Sequence, residues 1–392
     1  MIPVKEAIEV IDKNIIPLEE KEKINVQFSN GHVLFQDVSS PINMPPFRQS
    51  AMDGYALLLQ NDVTYTIIDE VKAGDNHNPV LKPGEAVRIF TGAAVPNSAN
   101  AVIMQESVIV ENNRLILQKP VVFGENIRPL GEQVKKGGVA LRKGTKISPA
   151  AVGYLTSLGI TEVVVFKGPS IAIVVTGSEL VEAGHALTYG KIYESNSGML
   201  LSALNSIGHT DVIIHKVSDD YAQTYSVLEK VIAQHDVILI TGGISVGDYD
   251  VVGKVLQGLS VEQLFYKIKQ KPGKPFFFGK KNKTIVFGLP GNPAAVLSCF
   301  YIYIYPALQK ISGDIGFKLP RITVKSGSNF IKKGDNAQFL KAILKDGEAT
   351  ILKGQSSAML QTFALANAMV YMPEEQKEIS MGDLVEVIRL PI

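Results

Sequence analysis

The chain has 392 residues, enough for two or three domains. Lysine and arginine total 39 and aspartate and glutamate 38, so the net charge of +1 lacks the basic excess of a non-specific nucleic-acid or membrane-surface binder. Hydrophobic residues make up 46% and charged residues 20%, which excludes a disordered chain. The single cysteine, Cys299, excludes an intramolecular disulfide and any multi-cysteine zinc or iron–sulfur site.

The chain starts with MIPVKEAIEVIDK, which is charged and lacks a continuous apolar stretch. We therefore expect no signal peptide and a cytoplasmic protein. Apolar residues such as Val4, Ala7 and Ile11 recur at helical spacing and predict a helix over residues 3–13.

Short β-prone runs separated by Gly, Pro and Asn clusters fill the segment from about residue 24 to 165. This texture predicts two β-rich lobes, the inner one at about residues 45–130. A helix is predicted to follow in SPAAVGYLTSLG, because Ser148 can cap its N-terminus and Pro149 suits its first turn. We assign residues 1–167 to this N-terminal region.

Residues 168–315 follow a different pattern. The runs IAIVVTG, TDVIIHKVS, DVILITGG and TIVFGLPG are continuously apolar, as in strands covered on both faces. Helical stretches near 196–207, 220–235 and 249–258 lie between them. The alternation predicts a doubly wound α/β domain, whose ligands bind beyond the carboxyl ends of the strands.

The uncharged segment 289–308 is long enough to consider as a membrane span. It opens with a Gly/Pro turn and Pro306 interrupts its end, so a buried helix of the α/β domain is favoured and we expect no membrane association. Residues 316–392 contain short strand-like runs that predict a small C-terminal β-barrel. The whole is a multidomain α/β plus β protein.

Three loops follow buried strands of the α/β domain: TGSEL, TGGISVGDYD and LPGNP. Their glycines allow backbone N–H groups to turn towards an anion, and a following helix adds its N-terminal dipole. Because three such loops would lie at adjacent strand ends, they predict a phosphate site. The candidate ligand-binding residues are Thr176, Gly177, Gly242, Gly243, Ser245, Gly247, Pro290, Gly291, Asn292 and Pro293.

The sequence GISVG also matches the nucleophile elbow of α/β-hydrolases. That fold requires a histidine after the serine in the chain. None of the six histidines follows Ser245, so the serine-hydrolase triad in its usual order is excluded.

Lysines cluster in YKIKQKPGKP, at Lys267, Lys269, Lys271 and Lys274. Alternating lysines on a strand would share one face, and Pro272–Gly273 is expected to bend the chain so that Lys274 can point elsewhere. An edge strand guarded by lysine is one interpretation. Beside Asp248, Asp250 and the glycine loops, a clamp for a polyanion with a bound metal is the other, since lysines neutralise phosphate and carboxylates hold Mg²⁺.

Two turns in the N-terminal half carry further candidates. Asp53 lies in PPFRQSAMDGYA, where capping the turn is its simplest role, and Thr91 lies in RIFTGAAVP.

Together these motifs resemble the molybdopterin molybdenumtransferase family, which includes bacterial MoeA and the E domain of gephyrin-type proteins. The matching sequences occur in the family's order over nearly the whole chain: PPFRQSAMDGYA, IFTGAAVP, GENIRPLGE, TGSEL, KIYESN, TGGISVGDYD, KPGKPFFFG, FGLPGNP and QSSAMLQTFALANAMVYMP.

The resemblance implies the last step of molybdenum cofactor synthesis, in which adenylyl-molybdopterin and molybdate react with Mg²⁺ and AMP is released. It implies an elongated homodimer whose active-site cleft lies between the N-terminal lobe of one subunit and the α/β and C-terminal domains of the other. The adenylyltransferase of the preceding step becomes a candidate partner. Family positions match the catalytic candidates Glu179, Asp219, Asp250, Lys267, Lys271, Lys274, Thr91 and Asp53, of which Asp250, Asp219 and Glu179 are the metal candidates.

Four positions depart from the family's acidic pattern: Arg48, Asn100, Gln133 and Ser178. Ordinary drift is one interpretation and a shifted oxyanion site, tuned for tungstate or of reduced activity, is the other. Two further alternatives are molybdopterin adenylyltransferase activity, opposed by the long N- and C-terminal regions, and a peptide-binding scaffold.

Overall fold

The computed structural model describes residues 1–60, 62–244 and 251–391. The backbone forms two compact units, Lys23–Val165 and a second unit made of Met1–Glu22 with Phe166–Ile392. The β-rich N-terminal region, the doubly wound domain and the C-terminal barrel are all present, which confirms the predicted fold class. The domain boundaries after residues 167 and 315 stay predictions.

The unit Lys23–Val165 is built on a β-sheet whose short strands follow the predicted β-prone runs. In order across the sheet, the strands are Ala101–Met104, Gly54–Leu57, Glu85–Ile89, Thr64–Val71, Arg114–Leu117 and Val108–Glu111. Gly54 has no room for a side chain, because a Cβ there would overlap the carbonyl oxygen of Ile103 on the paired strand.

The remaining elements of this region are shorter. The strands are Lys21–Asn25, Val38–Ser39, Gln49–Ser50, Ile127–Arg128, Val139–Leu141 and Glu162–Phe166. The helix Pro149–Ser157 begins as predicted, since Ser148 Oγ accepts a hydrogen bond from the Ala151 N–H at 3.2 Å. Its Leu155 packs in an apolar cluster with Leu34 and Val163.

The second unit contains the α/β sheet. In order, its strands are Val212–Val217, Ile171–Thr176, Val237–Thr241, Thr284–Leu289, Phe277–Lys281 and Glu262–Tyr266. The first four strands run parallel, and Phe277–Lys281 runs antiparallel to them. Glu262–Tyr266 is antiparallel to Phe277–Lys281 and so has the direction of the first four. Adjacent residues point to opposite faces, so Ile173 packs in one apolar cluster and Val174 in another, which explains the unbroken apolar runs.

Helices cover both faces of this sheet. The cluster on the Val174 face includes residues of Tyr221–Gln234 and Val251–Gly258, and the other includes residues of Val4–Asn14 and Asn196–Ser206. The first helix of the chain therefore belongs to the α/β core, although the sequence places it in the N-terminal region, because its apolar face is buried there.

The uncharged segment forms a buried helix over Pro293–Ile311, made of Pro293–Cys299, a π-helical segment Phe300–Ile304, and Tyr305–Ile311. Among the described residues, this one helix is long and apolar enough to cross a membrane, as judged by length and composition only. Its most apolar window is 83% buried inside the protein, as expected for a core helix, which passes the same test.

The C-terminal strands close into a barrel. Ala337–Lys345, Glu348–Ile351, Arg321–Ser326, Leu384–Arg389 and Ala368–Met372 pair in that order, and the last pairs back with the first. Leu340, Val370 and Val387 help to fill the interior. The barrel also carries the strands Phe330–Ile331 and Glu378–Ile379 and the helix Leu360–Leu365. A short strand of the preceding segment, Gln270–Lys271, pairs in parallel with Ala337–Lys345.

Candidate functional site

A cavity of about 760 Å³ lies at the carboxyl ends of the parallel strands, where the topology predicts a ligand. Strand-end residues Thr176 and Thr241 line it, and so does Pro290, which follows the next strand. Short strands Leu180–Val181 and Ile192–Tyr193 pair beside it. The predicted site residues that line the cavity are Thr176, Glu179, Gly242, Gly243, Lys271, Lys274, Pro290, Gly291, Asn292 and Pro293.

Gly242 and Gly243 turn the chain tightly over the end of the neighbouring strand. Both have positive φ, +87° and +61°, and a Cβ on Gly242 would overlap the carbonyl oxygen of Thr176. Thr176 is only 2% exposed, and its Oγ1 has no hydrogen-bond partner among residues 1–60, 62–244 and 251–391. A buried hydroxyl in this state favours a polar ligand in the cavity.

Asn196 links two of the strand-end loops. Its Nδ2 donates to Thr241 Oγ1 at 2.8 Å and to the Gly291 carbonyl oxygen at 2.9 Å. Its buried Oδ1 has no partner in the described part of the chain. The side chain thus joins the two loops through its nitrogen, at the lining of the cavity.

The lysine-rich segment differs from the predicted strand. The strand Glu262–Tyr266 ends before Lys267, whose φ of +74° breaks extended pairing. Lys267 Nζ lies 5.3 Å from the centre of the Tyr266 ring. Lys271 and Lys274 are exposed and line the cavity. Lys271 ends the short strand Gln270–Lys271, and Lys274 follows the bend expected at Pro272–Gly273.

The carboxylate candidates lie on neighbouring loops. Glu179 lines the cavity, and Asp219 Oδ2 accepts a hydrogen bond from the Ser178 N–H at 2.8 Å. Lys191 Nζ donates to the Ser178 carbonyl oxygen at 2.6 Å. Ser178, where the family often has aspartate, thus joins this pair through its backbone.

Some predicted residues do not reach the cavity or cannot be placed. In the described ranges, Gly177, Asp219 and Lys267 are not among the residues that line it. Ser245, Gly247 and Asp250 lie outside the described residues, as does Asp248.

The structure adds lining residues that the candidate set missed. Asn196 and Glu194 belong to KIYESN, and Ser357 to QSSAML, so the matching motifs were the available signal. Ser357 Oγ accepts a hydrogen bond from Asn292 Nδ2 at 2.9 Å, which ties LPGNP to the C-terminal motif. The Glu194 carboxylate already accepts hydrogen bonds from the N–H and the hydroxyl of Ser197, three residues along the chain.

Asp53 and Thr91 form a pair within the unit Lys23–Val165. Asp53 Oδ1 accepts hydrogen bonds from the Thr91 N–H at 2.7 Å and the Thr91 hydroxyl at 2.8 Å. These bonds, and more weakly the charge of Arg88, lower the pKa of Asp53 below its ordinary value of 3.8. The pair fixes the two predicted turns against each other and presents an exposed carboxylate.

We expect Thr91→Val to raise the pKa of Asp53 part of the way towards 3.8, since the backbone bond remains. A lowered pKa in the folded state gives stability that is present above 3.8 and is lost as the pH falls through the folded pKa. The variant should therefore lose less stability across that acid range. Carboxyl titration by NMR of ¹³C-aspartate-labelled protein measures the shift. The exposed Thr66→Val is the control, and equal Asp53 titration in both variants would contradict the assignment.

The Arg48 side chain binds nearby backbone carbonyl groups. Its guanidinium donates to the carbonyl oxygens of Ala99 at 2.9 Å and Pro96 at 2.6 Å. These contacts support ordinary drift at this position over a shifted oxyanion site.

Comparison with known families agrees with this architecture. Residues 2–159 match the model of the MoeA N-terminal region (domains I and II), residues 172–310 that of a probable molybdopterin binding domain, and residues 323–390 that of the MoeA C-terminal region (domain IV). A solved structure of the molybdopterin biosynthesis MoeA protein from Pyrococcus horikoshii is 31% identical, with a TM-score of 0.85 over 99% of this chain and 100% of that one.

Curated relatives extend the match to named enzymes. The molybdopterin molybdenumtransferases of Staphylococcus aureus and Staphylococcus epidermidis are each 32% identical, over 99% of this chain and 95% of theirs. The match includes the N-terminal region and the barrel as well as the α/β domain. The chain therefore belongs to the molybdopterin molybdenumtransferase family.

Proposed function

We propose that the protein inserts molybdenum from molybdate into adenylyl-molybdopterin and releases AMP, the final step of molybdenum cofactor biosynthesis. The observation that carries this proposal is the cavity at the strand ends, which combines glycine loops and lysines in a chain of this family. Such a lining suits a ligand with a phosphoanhydride, a pterin and an adenylyl group.

The residues that line the cavity have different roles in this proposal. Backbone N–H groups hold the phosphate oxygens, and they come from the TGSEL loop, the loop of Gly242 and Gly243, and the LPGNP loop. Lys271 and Lys274 neutralise the charge that develops as the phosphoanhydride breaks. Thr176 and Asn196, whose oxygens Oγ1 and Oδ1 have no hydrogen-bond partner among the described residues, orient the ligand. Fixed electrostatics and positioning supply the catalysis, with no covalent enzyme intermediate.

We also propose a requirement for Mg²⁺. Glu179, which lines the cavity, would hold it with the hard oxygen ligand that it prefers, and Asp219 and Asp250 are further candidates from the sequence. In the described residues no group of three or more His, Cys, Asp or Glu side chains could bind a metal alone. Mg²⁺ fits that arrangement, since it is commonly bound by one or two carboxylates with substrate phosphates. When bound, it would neutralise phosphate charge.

AMP release tests the proposal. Purified protein supplied with adenylyl-molybdopterin, Mg²⁺ and molybdate should release AMP in step with molybdate, and chelation with EDTA should stop it. No AMP under complete conditions would overturn the function. Parallel turnover with tungstate, followed by metal analysis of the product, tests selectivity. Incubation with ATP and molybdopterin tests the alternative adenylyltransferase activity.

The assembly and location are proposals drawn from the family resemblance: a cytoplasmic homodimer that contacts the adenylyltransferase supplying its substrate. Light scattering after size exclusion tests the dimer, and co-purification with the adenylyltransferase tests the contact.

A further inference from the structure

A buried polar network lies beneath the loop that presents Lys271 and Lys274. Gln270 is fully buried, and its Nε2 donates to the carbonyl oxygens of Pro272 at 3.1 Å and Gly273 at 3.2 Å. Its Oε1 accepts a hydrogen bond from the Tyr303 hydroxyl, which is also buried. One amide thus binds the loop through its nitrogen and the core helix through its oxygen.

The helix is shaped to reach this amide. Tyr303 lies in the π-helical segment Phe300–Ile304 of the buried helix. Such segments are rare and occur mostly as single-turn bulges inside α-helices. Burial raises the pKa of Tyr303 well above its ordinary value, so the phenol keeps its proton and can donate.

Packing leaves the loop little freedom on the same side. Gly273 has a φ of +83°, and a Cβ there would overlap Cys299 Sγ. Gln270 Nε2 lies 3.6 Å from that sulfur. Burial raises the pKa of the Cys299 thiol, which therefore stays a neutral packing group and not a nucleophile.

The backbone completes the anchoring. The Ile268 N–H donates to the Lys274 carbonyl oxygen at 2.9 Å and closes the loop at its base. The Ala337 N–H donates to the Lys269 carbonyl oxygen at 3.1 Å, where the loop pairs with the barrel. The two lysines thus lie on a segment closed by these backbone bonds, and Gln270 holds its Pro272 and Gly273 carbonyl groups.

We infer that Gln270 and Tyr303 are positioning residues, which hold the Lys271–Lys274 loop in place for the polyanionic substrate. The inference rests on the proposed function for the identity of that substrate. A misplacement of about 1 Å in a positioned charge can cost about 100-fold in rate. Loss of the buried hydrogen bond that holds the lysine loop should therefore weaken catalysis. Among the described residues Gln270 lines the cavity and Tyr303 does not, so Tyr303 acts through Gln270.

The experiment compares Tyr303→Phe and Gln270→Met with Tyr301→Phe. Tyr301 is a matched control because it is a buried tyrosine of the same π-helical segment, packed against Phe300 and Phe363. Hydrogen–deuterium exchange of the peptide covering residues 268–276 reports the loop, and AMP release reports kcat and KM for adenylyl-molybdopterin. Thermal unfolding reports overall stability.

We expect Tyr303→Phe to speed exchange of that peptide and to raise KM about tenfold, and Gln270→Met to raise KM further. Loss of folded protein alone would lower kcat and leave KM unchanged. The double variant should match Gln270→Met, because Tyr303 acts through that amide. Tyr301→Phe should leave exchange and KM unchanged.

Unchanged exchange or unchanged KM in Tyr303→Phe would overturn the inference. Because Tyr303→Phe removes only the hydroxyl and keeps the aromatic ring, it still tests the inference if Gln270→Met fails to fold. If the wild-type protein releases no AMP, the proposed function fails by itself. The exchange comparison then decides the anchoring, with equal exchange in Tyr303→Phe and wild type overturning it.

Discussion

Replacing Lys271 and Lys274 together by alanine should lower kcat/KM for AMP release by about 1,000-fold or more, with each single variant losing about 10- to 100-fold. Both side chains line the cavity, and their charges oppose the negative charge on the phosphoanhydride oxygens. A cation that is already positioned beside the anion is worth more than the same charge free in solution. Steady-state AMP release at fixed molybdate and Mg²⁺ measures the effect.

Lys269→Ala is the matched control for this loss. Lys269 lies two residues from Lys271 in the same segment, but its Nζ is 4.0 Å from a carboxylate oxygen of Glu374 and it is not a lining residue of the cavity in the described structure. We expect it to keep kcat/KM within about threefold, since exposed ion pairs contribute little. A loss in Lys269→Ala equal to that of Lys274→Ala would show a general charge effect and contradict the assigned role.

Lys341→Met should lower the free energy of unfolding by about 3 kcal/mol and AMP release by about tenfold or more. Lys341 is only 2% exposed, and its ammonium donates to the carbonyl oxygens of Gly354 at 2.9 Å, Ser356 at 3.1 Å and Met359 at 3.1 Å. Methionine fills a similar volume and leaves these acceptors without that donor. The loop they belong to carries Ser357, whose contact with Asn292 borders the cavity.

Urea unfolding measures the stability change, and Lys345→Met is its control. Lys345 ends the same strand but is exposed, so its replacement should alter the free energy of unfolding by no more than about 0.5 kcal/mol. Equal unfolding midpoints for Lys341→Met and wild type would show that the three carbonyl contacts add nothing to stability.

The sequence predicted the features that local chemistry determines. Continuous apolar runs indicated the covered sheet, the Ser148–Pro149 pair indicated a helix start, and strand-end glycines indicated the edge where the cavity lies. Each signal is local, because period, caps and turn residues act over a few positions.

Long-range contacts could not be predicted in this way. The residue types at Pro272–Gly273 predict the bend before Lys274, but they do not predict that Gln270 and Tyr303, 33 positions apart, bond to each other beside it. Asn196 links the ends of two strands through partners 45 and 95 residues away. Hydrophobic periodicity does not predict such long-range contacts. The sequence pattern therefore indicates the charged residues beside Gln270 but not Gln270 itself.

The pairing of Gln270–Lys271 with the barrel strand Ala337–Lys345 has a consequence for how this protein can change. One strand of the barrel supports the lysine loop at its start, and Lys341 in its middle fixes the loop of Ser357. The barrel is therefore part of the scaffold of the cavity. An insertion that shifted the register of that single strand would displace two walls of the pocket at once, so the C-terminal domain cannot be exchanged as an independent module.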